Sequence, residues 1–385
     1  MYDFDKLTDR MGSDCCKWDV KPGELPMWIA DMDFEAPYPV KRELLKVAEH
    51  GIYGYAYAPD EYFRSVCDFR KRRHGQSFLP SQAVFATSVV ASISSGVRKL
   101  TTPAENVLIQ APVYNVFYNS ILNSGRNVLS SDLVYENGEY SIDFADLEAK
   151  LENPETTLMI LCNPHNPVGK LYTKEELAKI GELCHKHGVT VISDEIHSDF
   201  VKPGKKFVPF AEVNELCSNI SVTLVSASKT FNLAGLHASC VLSRNPHLLH
   251  KMYRGLNTDE CGEPNAFAMR ATIAAYRECD EWLDGVVDYI YQNRAFAEGY
   301  ILENIKGVHL VPAEATYFLW IDVSRYTESA EDFCRDLREK TGLFVNSGHV
   351  YGEGGRRFIR INLATQRERV RDGLERLKAY VDSLS

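Results

Sequence analysis

The chain has 385 residues, a length that suits one large α/β domain with a smaller partner of roughly 100–150 residues. Its formal net charge of −10 disfavours a nucleic-acid-binding surface, which would show a basic patch or stripe. No stretch approaches the roughly 20 apolar residues that span a membrane, and the acidic start at residues 1–6 lacks the apolar core of a secretion signal. We therefore expect a globular protein with neither a nucleic-acid nor a membrane partner.

The ten cysteines do not form a disulfide pattern. Cys15 and Cys16 are adjacent, the others are scattered, and the sequence contains no Cys-x-x-Cys pair. Most lie among apolar neighbours, as Cys162 and Cys240 do, where cysteine behaves as a small buried hydrophobic residue. The pattern predicts reduced cysteines and a cytoplasmic protein.

Short apolar runs alternate with helical patterns through the middle of the chain. This alternation indicates βαβ units and a mostly parallel sheet. The predicted strands are residues 83–86, 106–110, 157–162, 189–193, 221–226 and 238–242, and the predicted helices are residues 90–100, 116–124, 144–151 and 174–187.

Two helices have readable boundaries. Thr173, with Glu176 three residues later, is a capping-box signature for the helix that ends at Gly188. Residues 280–304 predict one long helix, because their apolar side chains recur near helical spacing. Such a helix often bridges two domains, and the short strands and two helices that follow it predict a smaller domain.

The first segment that suggests chemistry is residues 162–169, which follow a predicted strand and contain two Asn-Pro steps and a glycine. Proline disfavours helix at the preceding residue, so Asn163 and Asn166 are held in a loop. Open α/β sheets bind ligands where their strands end, which makes this loop a candidate site. Taken alone, it is equally well interpreted as a tight turn.

The second segment, residues 193–197, closes another predicted strand with Asp194, and His197 follows three residues later. Carboxylates at a strand end are commonly solvated or cap a helix, so this segment indicates little by itself. A metal site would need further ligands at metal spacing. Because none follows, and because His185 and His187 lie at a helix end, we predict no metal.

The third segment, residues 226–236, begins Ser-Ala-Ser-Lys and continues into a turn of small residues. Its lysine is Lys229. Most lysines are solvated, and a lysine is almost never fully buried unless it is paired. The combination of this lysine with the two preceding segments changes that expectation.

The order Asn-Pro, Asp and Ser-x-Ser-Lys at these spacings resembles the fold-type I pyridoxal 5′-phosphate (PLP) enzymes, the aspartate aminotransferase superfamily. Within it the chain is most similar to the MalY/PatB-type cystathionine β-lyases, or C–S lyases. The Ala-Asp-Met-Asp-Phe block at residues 30–34 is the feature most specific to that subgroup. The resemblance implies an α/β fold, with helices around a mostly parallel sheet and a smaller α/β C-terminal domain. The other matching segments are residues 4–6, 17–19, 27–29, 53–55, 112–114 and 358–362.

The resemblance assigns roles around the PLP ring. Lys229 would bond to the cofactor and then act as the general base at the substrate Cα. Asp194 would face the pyridine nitrogen and keep it protonated, so that the ring can accept electrons. Asn166 would hydrogen-bond the phenolic oxygen, and Tyr114 would stack on the ring. His197, where many relatives have tyrosine, is assigned to the same cofactor site.

The resemblance also implies a phosphate site. The backbone N–H groups of Val89 and Val90 would bind the anion where a strand turns into a helix, because a helix N-terminus favours negative charge. Ser226 and Ser228 would add hydroxyl groups. Tyr55 would reach over from the other subunit of a homodimer.

Arg360 is the candidate for binding the substrate α-carboxylate, because its planar fork suits bidentate binding. The alternative is an ordinary surface arginine. Ala30 is assigned to the same substrate site. Relatives usually have Gly and Pro where this chain has Ser88 and Ala91, which leaves the backbone role in phosphate binding open.

The fold alone does not select a reaction. Aminotransferases of this superfamily usually carry an arginine eight residues after the lysine, whereas this chain has His237 and the MalY/PatB group also lacks the arginine. The departure favours α,β-elimination on L-cystathionine or other cysteine thioethers, giving a thiol, pyruvate and ammonia. An aminotransferase that needs a 2-oxo acid is the closest alternative. A non-catalytic protein that retains the fold is another.

The division into domains follows the same resemblance. Residues 1–45 are predicted to form an N-terminal arm and part of the small domain, residues 46–284 the large PLP-binding domain, and residues 285–385 the small C-terminal domain. The expected partners are a small amino-acid substrate and a second copy of the chain.

Overall fold

The computed structural model describes residues 2–384. Its strands form a central seven-stranded sheet, a four-stranded sheet and two pairs of short strands. In chain order the strands are β1 (Leu25–Pro26), β2 (Ala83–Ala86), β3 (Asn106–Ile109), β4 (Asn127–Ser130), β5 (Val134–Glu136), β6 (Glu139–Ser141), β7 (Thr156–Cys162), β8 (Thr190–Asp194), β9 (Ser221–Val225), β10 (Ser239–Leu242), β11 (His309–Leu310), β12 (Phe318–Asp322), β13 (Leu343–Phe344), β14 (Asn346–Ser347) and β15 (Phe358–Asn362).

The helices pack around these sheets. Those predicted at residues 144–151 and 280–304 have the observed bounds, and the other predicted helices agree within two residues at each end. Among residues 2–384, no helix combines the length and apolarity needed to cross a membrane. In chain order the helices are α1 (Tyr38–His50), α2 (Asp60–His74), α3 (Val89–Leu100), α4 (Val116–Leu122), α5 (Phe144–Leu151), α6 (Lys174–Lys186), α7 (Glu215–Asn219), α8 (Ala227–Thr230), α9 (Pro246–Thr258), α10 (Ala268–Glu278), α11 (Asp280–Asn304), α12 (Ala330–Thr341) and α13 (Arg367–Asp382).

The central sheet has the order β2-β10-β9-β8-β7-β3-β4. Among the described residues, six strands of this sheet run in one direction and β10 alone runs in the opposite direction, so the predicted mostly parallel sheet is confirmed. Strands β3 and β9 are buried along their whole length, because helices cover both faces of the sheet. Ile93 and Met252 pack on one face, and Leu147 and Ile180 pack on the other.

The start of α6 shows the predicted capping box. The N–H group of Glu176 donates to the Thr173 Oγ1 at 3.1 Å, and the N–H group of Thr173 donates to the Glu176 Oε2 at 2.8 Å. These bonds satisfy two backbone donors that a helix start leaves unpaired. They fix the point at which the chain leaves the loop after β7 and enters α6.

The smaller sheet is antiparallel, in the order β11-β12-β15-β14, and α12 and α13 contribute to its apolar core. The N-terminal part of the chain joins this core: β1 pairs in parallel with β13, with Leu25 opposite Leu343, and the side chains of Trp18 and Met27 are buried there. The arm therefore packs on residues distant in sequence. The domain boundaries after residues 45 and 284 stay predictions.

Candidate active site

A cavity of about 280 Å³ opens at the carboxyl ends of β7, β8 and β9. The sequence motifs meet there because neighbouring parallel strands end at one edge of the sheet: Cys162 pairs with Asp194, and Asp194 with Leu224. Ten of the residues assigned from the sequence line this cavity, namely Ala30, Val89, Val90, Tyr114, Asn166, Asp194, His197, Ser226, Ser228 and Lys229.

Lys229 lies in α8, the four-residue helix that follows β9. Its Nζ donates a hydrogen bond to the Ala30 carbonyl oxygen at 3.0 Å. Burial lowers the pKa of this amine to about 8, although the charges of Asp31 and Asp194 oppose the shift. A lowered pKa leaves a larger neutral fraction near pH 7, which both a nucleophile and a general base require.

Asp194 is buried at the end of β8. Its Oδ1 accepts the N–H group of Ile196 at 3.1 Å. Burial raises the pKa of this carboxyl group to about 7, while that hydrogen bond and the charge of Lys229 act in the opposite direction. A carboxylate with so little solvation is stabilised by a cationic partner, which a protonated pyridine nitrogen would provide.

Arg360 is a buried residue of β15, so the alternative of a surface arginine is wrong. Its Nη1 donates to the Asn166 Oδ1 at 3.0 Å, and its Nη2 donates to the Trp28 carbonyl oxygen at 2.9 Å. The guanidinium group also lies over the Phe318 ring, 4.0 Å from the ring centroid. Within residues 2–384 its Nε has no hydrogen-bond acceptor. The side chain is therefore fixed in place, and its Nε–H group is free to donate to a ligand.

His197 is buried beside the rings of Tyr317 and Phe318, with centroid distances of 5.6 and 5.7 Å. Burial lowers its pKa to about 3, and the charges of Lys229 and Arg360 add to that effect. The imidazole is therefore neutral at pH 7. Its Nδ1 is a buried polar atom for which the described residues supply no partner.

The start of α3 forms an anion-binding position. The Oγ of Ser88 caps the helix by accepting the N–H group of Ala91 at 3.0 Å. Val89 and Val90 occupy the first turn of this twelve-residue helix, where N–H groups lack carbonyl partners in the helix. Because both residues line the cavity, the positive end of the helix dipole faces its contents.

The two serines before Lys229 differ in their contacts. The hydroxyl group of Ser226 donates to the Ala238 carbonyl oxygen at 2.7 Å and accepts the N–H group of Ser228 at 3.0 Å. Ser226 therefore caps α8 and connects it to the residue that precedes β10. Ser228 lines the cavity beside it.

Tyr55 is fully exposed in a segment of the chain without helix or strand, at residues 51–59. It lines a second cavity of about 580 Å³ together with Tyr57 and Met269, and this cavity does not include Lys229. Within one chain, the structure does not bring Tyr55 to the other assigned residues.

Sequence reasoning missed two residues at the site. The hydroxyl group of Tyr317 donates to the Ala30 carbonyl oxygen at 2.7 Å, so this oxygen accepts from both Tyr317 and Lys229. No sequence signal marks Tyr317, which precedes an ordinary apolar strand. Asp31 is the second missed residue. It lies in the Ala-Asp-Met-Asp-Phe block, which gave it no role, and its charge raises the pKa of Lys229. His237 also lines the cavity.

The chemistry of these groups matches PLP. An amine with a lowered pKa suits an aldehyde, a buried carboxyl group suits a pyridine nitrogen, and the start of α3 suits a phosphate. The orphaned Nδ1 of His197 is a further polar atom that a ligand could satisfy. The residues that line the cavity therefore fit this cofactor.

Comparison with known proteins agrees with this interpretation. The family model described as aminotransferase class I and II matches residues 35–377. The cystathionine β-lyase PatB of Bacillus subtilis (strain 168) is 41% identical over 384 residues, which cover 98% of this chain and 99% of that protein. The protein MalY of Escherichia coli (strain K12) is 30% identical, with 97% of each chain covered.

A solved structure extends the likeness to three dimensions. The crystal structure of cystalysin from Treponema denticola, which contains PLP, has a TM-score of 0.96 and 29% sequence identity, and the alignment covers 100% of both chains. The α/β fold expected from the sequence is confirmed, as is the resemblance to PatB and MalY. The chain belongs to the class I and II aminotransferase family of fold-type I PLP-dependent enzymes.

Proposed function

We propose that this protein is a PLP-dependent C–S β-lyase, which acts on L-cystathionine or another cysteine thioether. The observation that carries the proposal is the placement of the Lys229 amine in one cavity with Asp194 and Asn166. The end-to-end similarity to PatB, a cystathionine β-lyase, supports the elimination reaction. With cystathionine, one water molecule is consumed, and homocysteine, pyruvate and ammonia are released.

In this proposal the cofactor is held from several sides. Lys229 would bond to the aldehyde carbon, Asp194 would pair with the pyridine nitrogen and Asn166 would hydrogen-bond the phenolic oxygen. Tyr114 packs on the ring, and the start of α3 binds the phosphate. His197 supplies a neutral polar contact, since burial keeps its pKa near 3. When bound, PLP withdraws electrons from the substrate Cα and so stabilises negative charge there.

The side chains of this chain perform the proton and binding steps. The amine of Lys229 would take the proton from the substrate Cα, and the Cβ–S bond would then break with its electron pair leaving on sulfur. The resulting ammonium of Lys229 would then donate its proton to the thiolate. Arg360 binds the α-carboxylate, and its fixed position selects the substrate orientation.

The experiment that tests the function measures pyruvate. Purified protein is incubated with PLP and L-cystathionine, with S-alkyl cysteines as further substrates and without any 2-oxo acid. Steady formation of equal amounts of pyruvate and thiol supports the lyase. An aminotransferase would form a new amino acid only after a 2-oxo acid is added. Absence of pyruvate from every thioether would contradict the proposal.

The lowered pKa of Lys229 predicts how PLP joins the protein after it has been stripped of cofactor. Attack on an aldehyde needs the neutral amine, and at a pKa of about 8 roughly one amine in ten is neutral at pH 7. We expect the rate of cofactor attachment, measured as growth of the visible absorption band, to rise with pH up to about 8 and then level off. An Nα-acetyl-lysine amide control should keep rising past pH 10. A protein profile that follows this control would contradict the prediction.

We further propose a homodimer in the cytoplasm. The exposed ring of Tyr55 supports the first part, because it would reach the phosphate of the partner's site. The second part is supported by ten free cysteines, most of them buried, which suit a reducing compartment.

Mixing two variants tests the shared site, at a PLP concentration that saturates the parent but not Tyr55→Ala. We expect Tyr55→Ala to weaken PLP binding about 10- to 100-fold, the size of one lost hydrogen bond to a charged group. Lys229→Ala removes the amine but leaves Tyr55 intact. In a refolded equimolar mixture, half of the dimers would pair the two variants, so about a quarter of all sites would be complete. No recovery of activity upon mixing, or an active monomer in sedimentation, would contradict the shared site.

A further inference from the structure

We call residues 28–34 the strap. This segment extends from Arg360 in β15 to Lys229, and its backbone carbonyl groups accept hydrogen bonds from side chains. Side chains from the N-terminal arm, the large domain and the small domain all donate to them. The donors are Arg360 to Trp28 (2.9 Å), Asn362 to Ile29 (2.6 Å), Lys229 to Ala30 (3.0 Å), Lys17 to Asp31 (3.2 Å), Arg10 to Met32 (3.0 Å), Gln366 to Asp33 (2.9 Å) and Asn232 to Phe34 (3.0 Å).

The strap carries two carboxylates with different surroundings. Asp33 is buried and fully paired: Lys17 donates to its Oδ2 at 2.9 Å, and Trp18 and Arg10 each donate to its Oδ1 at 2.8 Å. These contacts tie the N-terminal arm to the strap. Since both carboxylate oxygens of Asp33 accept hydrogen bonds from cationic side chains, its charge is used for structure.

Asp31 is only half paired. Its Oδ2 accepts from the Nη2 of Arg10 at 2.6 Å, while its Oδ1 is buried and has no hydrogen-bond donor among residues 2–384. A buried acceptor without a hydrogen-bond partner is destabilising. The Cys15 Sγ accepts from the Nη2 of Arg10 and donates to the Asp31 Oδ2 at 3.9 Å. The position of this half-paired carboxylate, next to the residue whose carbonyl binds Lys229, indicates a role at the active site.

Three charged groups and two neutral titratable groups surround Lys229. Asp31 in the strap exerts the largest effect after burial, followed by Arg360 in β15 and Asp194 at the end of β8. His197, which follows β8, is neutral. Tyr317, before β12, shares the Ala30 carbonyl and remains protonated, because burial and the charge of Asp31 raise its pKa. Asp31 is therefore the main source of negative charge at the amine.

We propose that Asp31 is a positioning residue that sets the proton affinity of the Lys229 nitrogen, and that Arg10 moderates its effect. The proposal rests on the assignment of Lys229 as the general base. A base that takes the Cα proton becomes an ammonium in a buried site, and a nearby carboxylate stabilises that cation. Arg10 holds the Asp31 carboxylate in place and offsets part of its charge.

The test uses the visible absorption of the holoenzyme, which reports protonation of the Lys229 nitrogen bonded to PLP. The midpoint of a pH titration is compared between the parent and three variants, without substrate. Asp31→Asn removes a negative charge and should lower the midpoint by about one unit, on the scale typical of a neighbouring charge. Arg10→Gln leaves Asp31 uncompensated and should raise it. Glu35→Gln is the control, because Glu35 follows the strap but pairs with Lys6 and Lys41 at the surface.

Opposite shifts from the two variants are the signature of an electrostatic role. A purely structural role predicts shifts of the same sign, or none, and either result would overturn the proposal. If Asp31→Asn does not fold, Arg10→Gln decides the matter alone, with Arg10→Lys expected to restore the parent midpoint. The titration does not depend on turnover. Unmoved midpoints with normal pyruvate formation would therefore reject this inference and leave the proposed function intact.

Discussion

Replacing Lys229 with alanine is expected to lower the turnover of cysteine thioethers by at least about 10⁴-fold. The substitution removes both the nucleophile that retains PLP and the base that takes the Cα proton. No other assigned side chain in the cavity can replace it as the base. His197 is too weak a base, because its pKa is lowered to about 3. Asp194 pairs with the ring nitrogen in our proposal. Pyruvate formation, coupled to lactate dehydrogenase, measures the loss.

The spectrum separates this prediction from simple unfolding. Lys229→Ala should lose the visible band of the lysine-bound cofactor and retain the circular dichroism of the parent. Lys229→Arg should behave similarly, since a guanidinium keeps the charge without being a nucleophile or a base at pH 7. Lys179→Ala, at an exposed position of α6, is the matched control and should leave both signals unchanged. If the turnover of Lys229→Ala stayed within about tenfold of the parent value, Lys229 would not be the general base.

The sequence predicts the central sheet and its catalytic edge well, for a physical reason. Strands buried on both faces are continuous apolar runs, and parallel neighbours end at one edge, so motifs that follow β7, β8 and β9 must meet. Asn166, Asp194 and Lys229 do meet in one cavity. The bounds of α5 and α11 follow from helical periodicity alone.

Contacts between distant residues could not be predicted in this way. The direction of β10 depends on its pairing with β2 and β9, which periodicity does not encode. The bond from Tyr317 to the Ala30 carbonyl joins residues 287 positions apart, and that from Arg10 to Asp31 joins an irregular arm to an irregular strap. Neither hydrogen bond is marked by a local sequence pattern. The sequence left the burial of Arg360 open for the same reason, since residues distant in sequence enclose it.

Replacing Asp194 with asparagine is expected to lower kcat by about 10²–10³-fold, the size of one lost electrostatic contact at a reacting centre. Asparagine has nearly the same shape and can still accept the N–H group of Ile196, so the loop after β8 should keep its conformation. It cannot hold a proton on the pyridine nitrogen. The ring would then draw fewer electrons from Cα, and the barrier to proton removal by Lys229 would rise.

The pattern of effects distinguishes this role from cofactor loss. Asp194→Asn at saturating PLP should retain a visible band, because Lys229 is unchanged, and should lower kcat while KM stays within about threefold. The loss of a negative charge near Lys229 should also move the titration midpoint of that band downward, since Asp194 raises the pKa of the lysine. Glu35→Gln is again the matched carboxylate control. An Asp194→Asn variant with the kcat of the parent would contradict this role. The buried carboxylate would then support the fold without promoting proton removal from Cα.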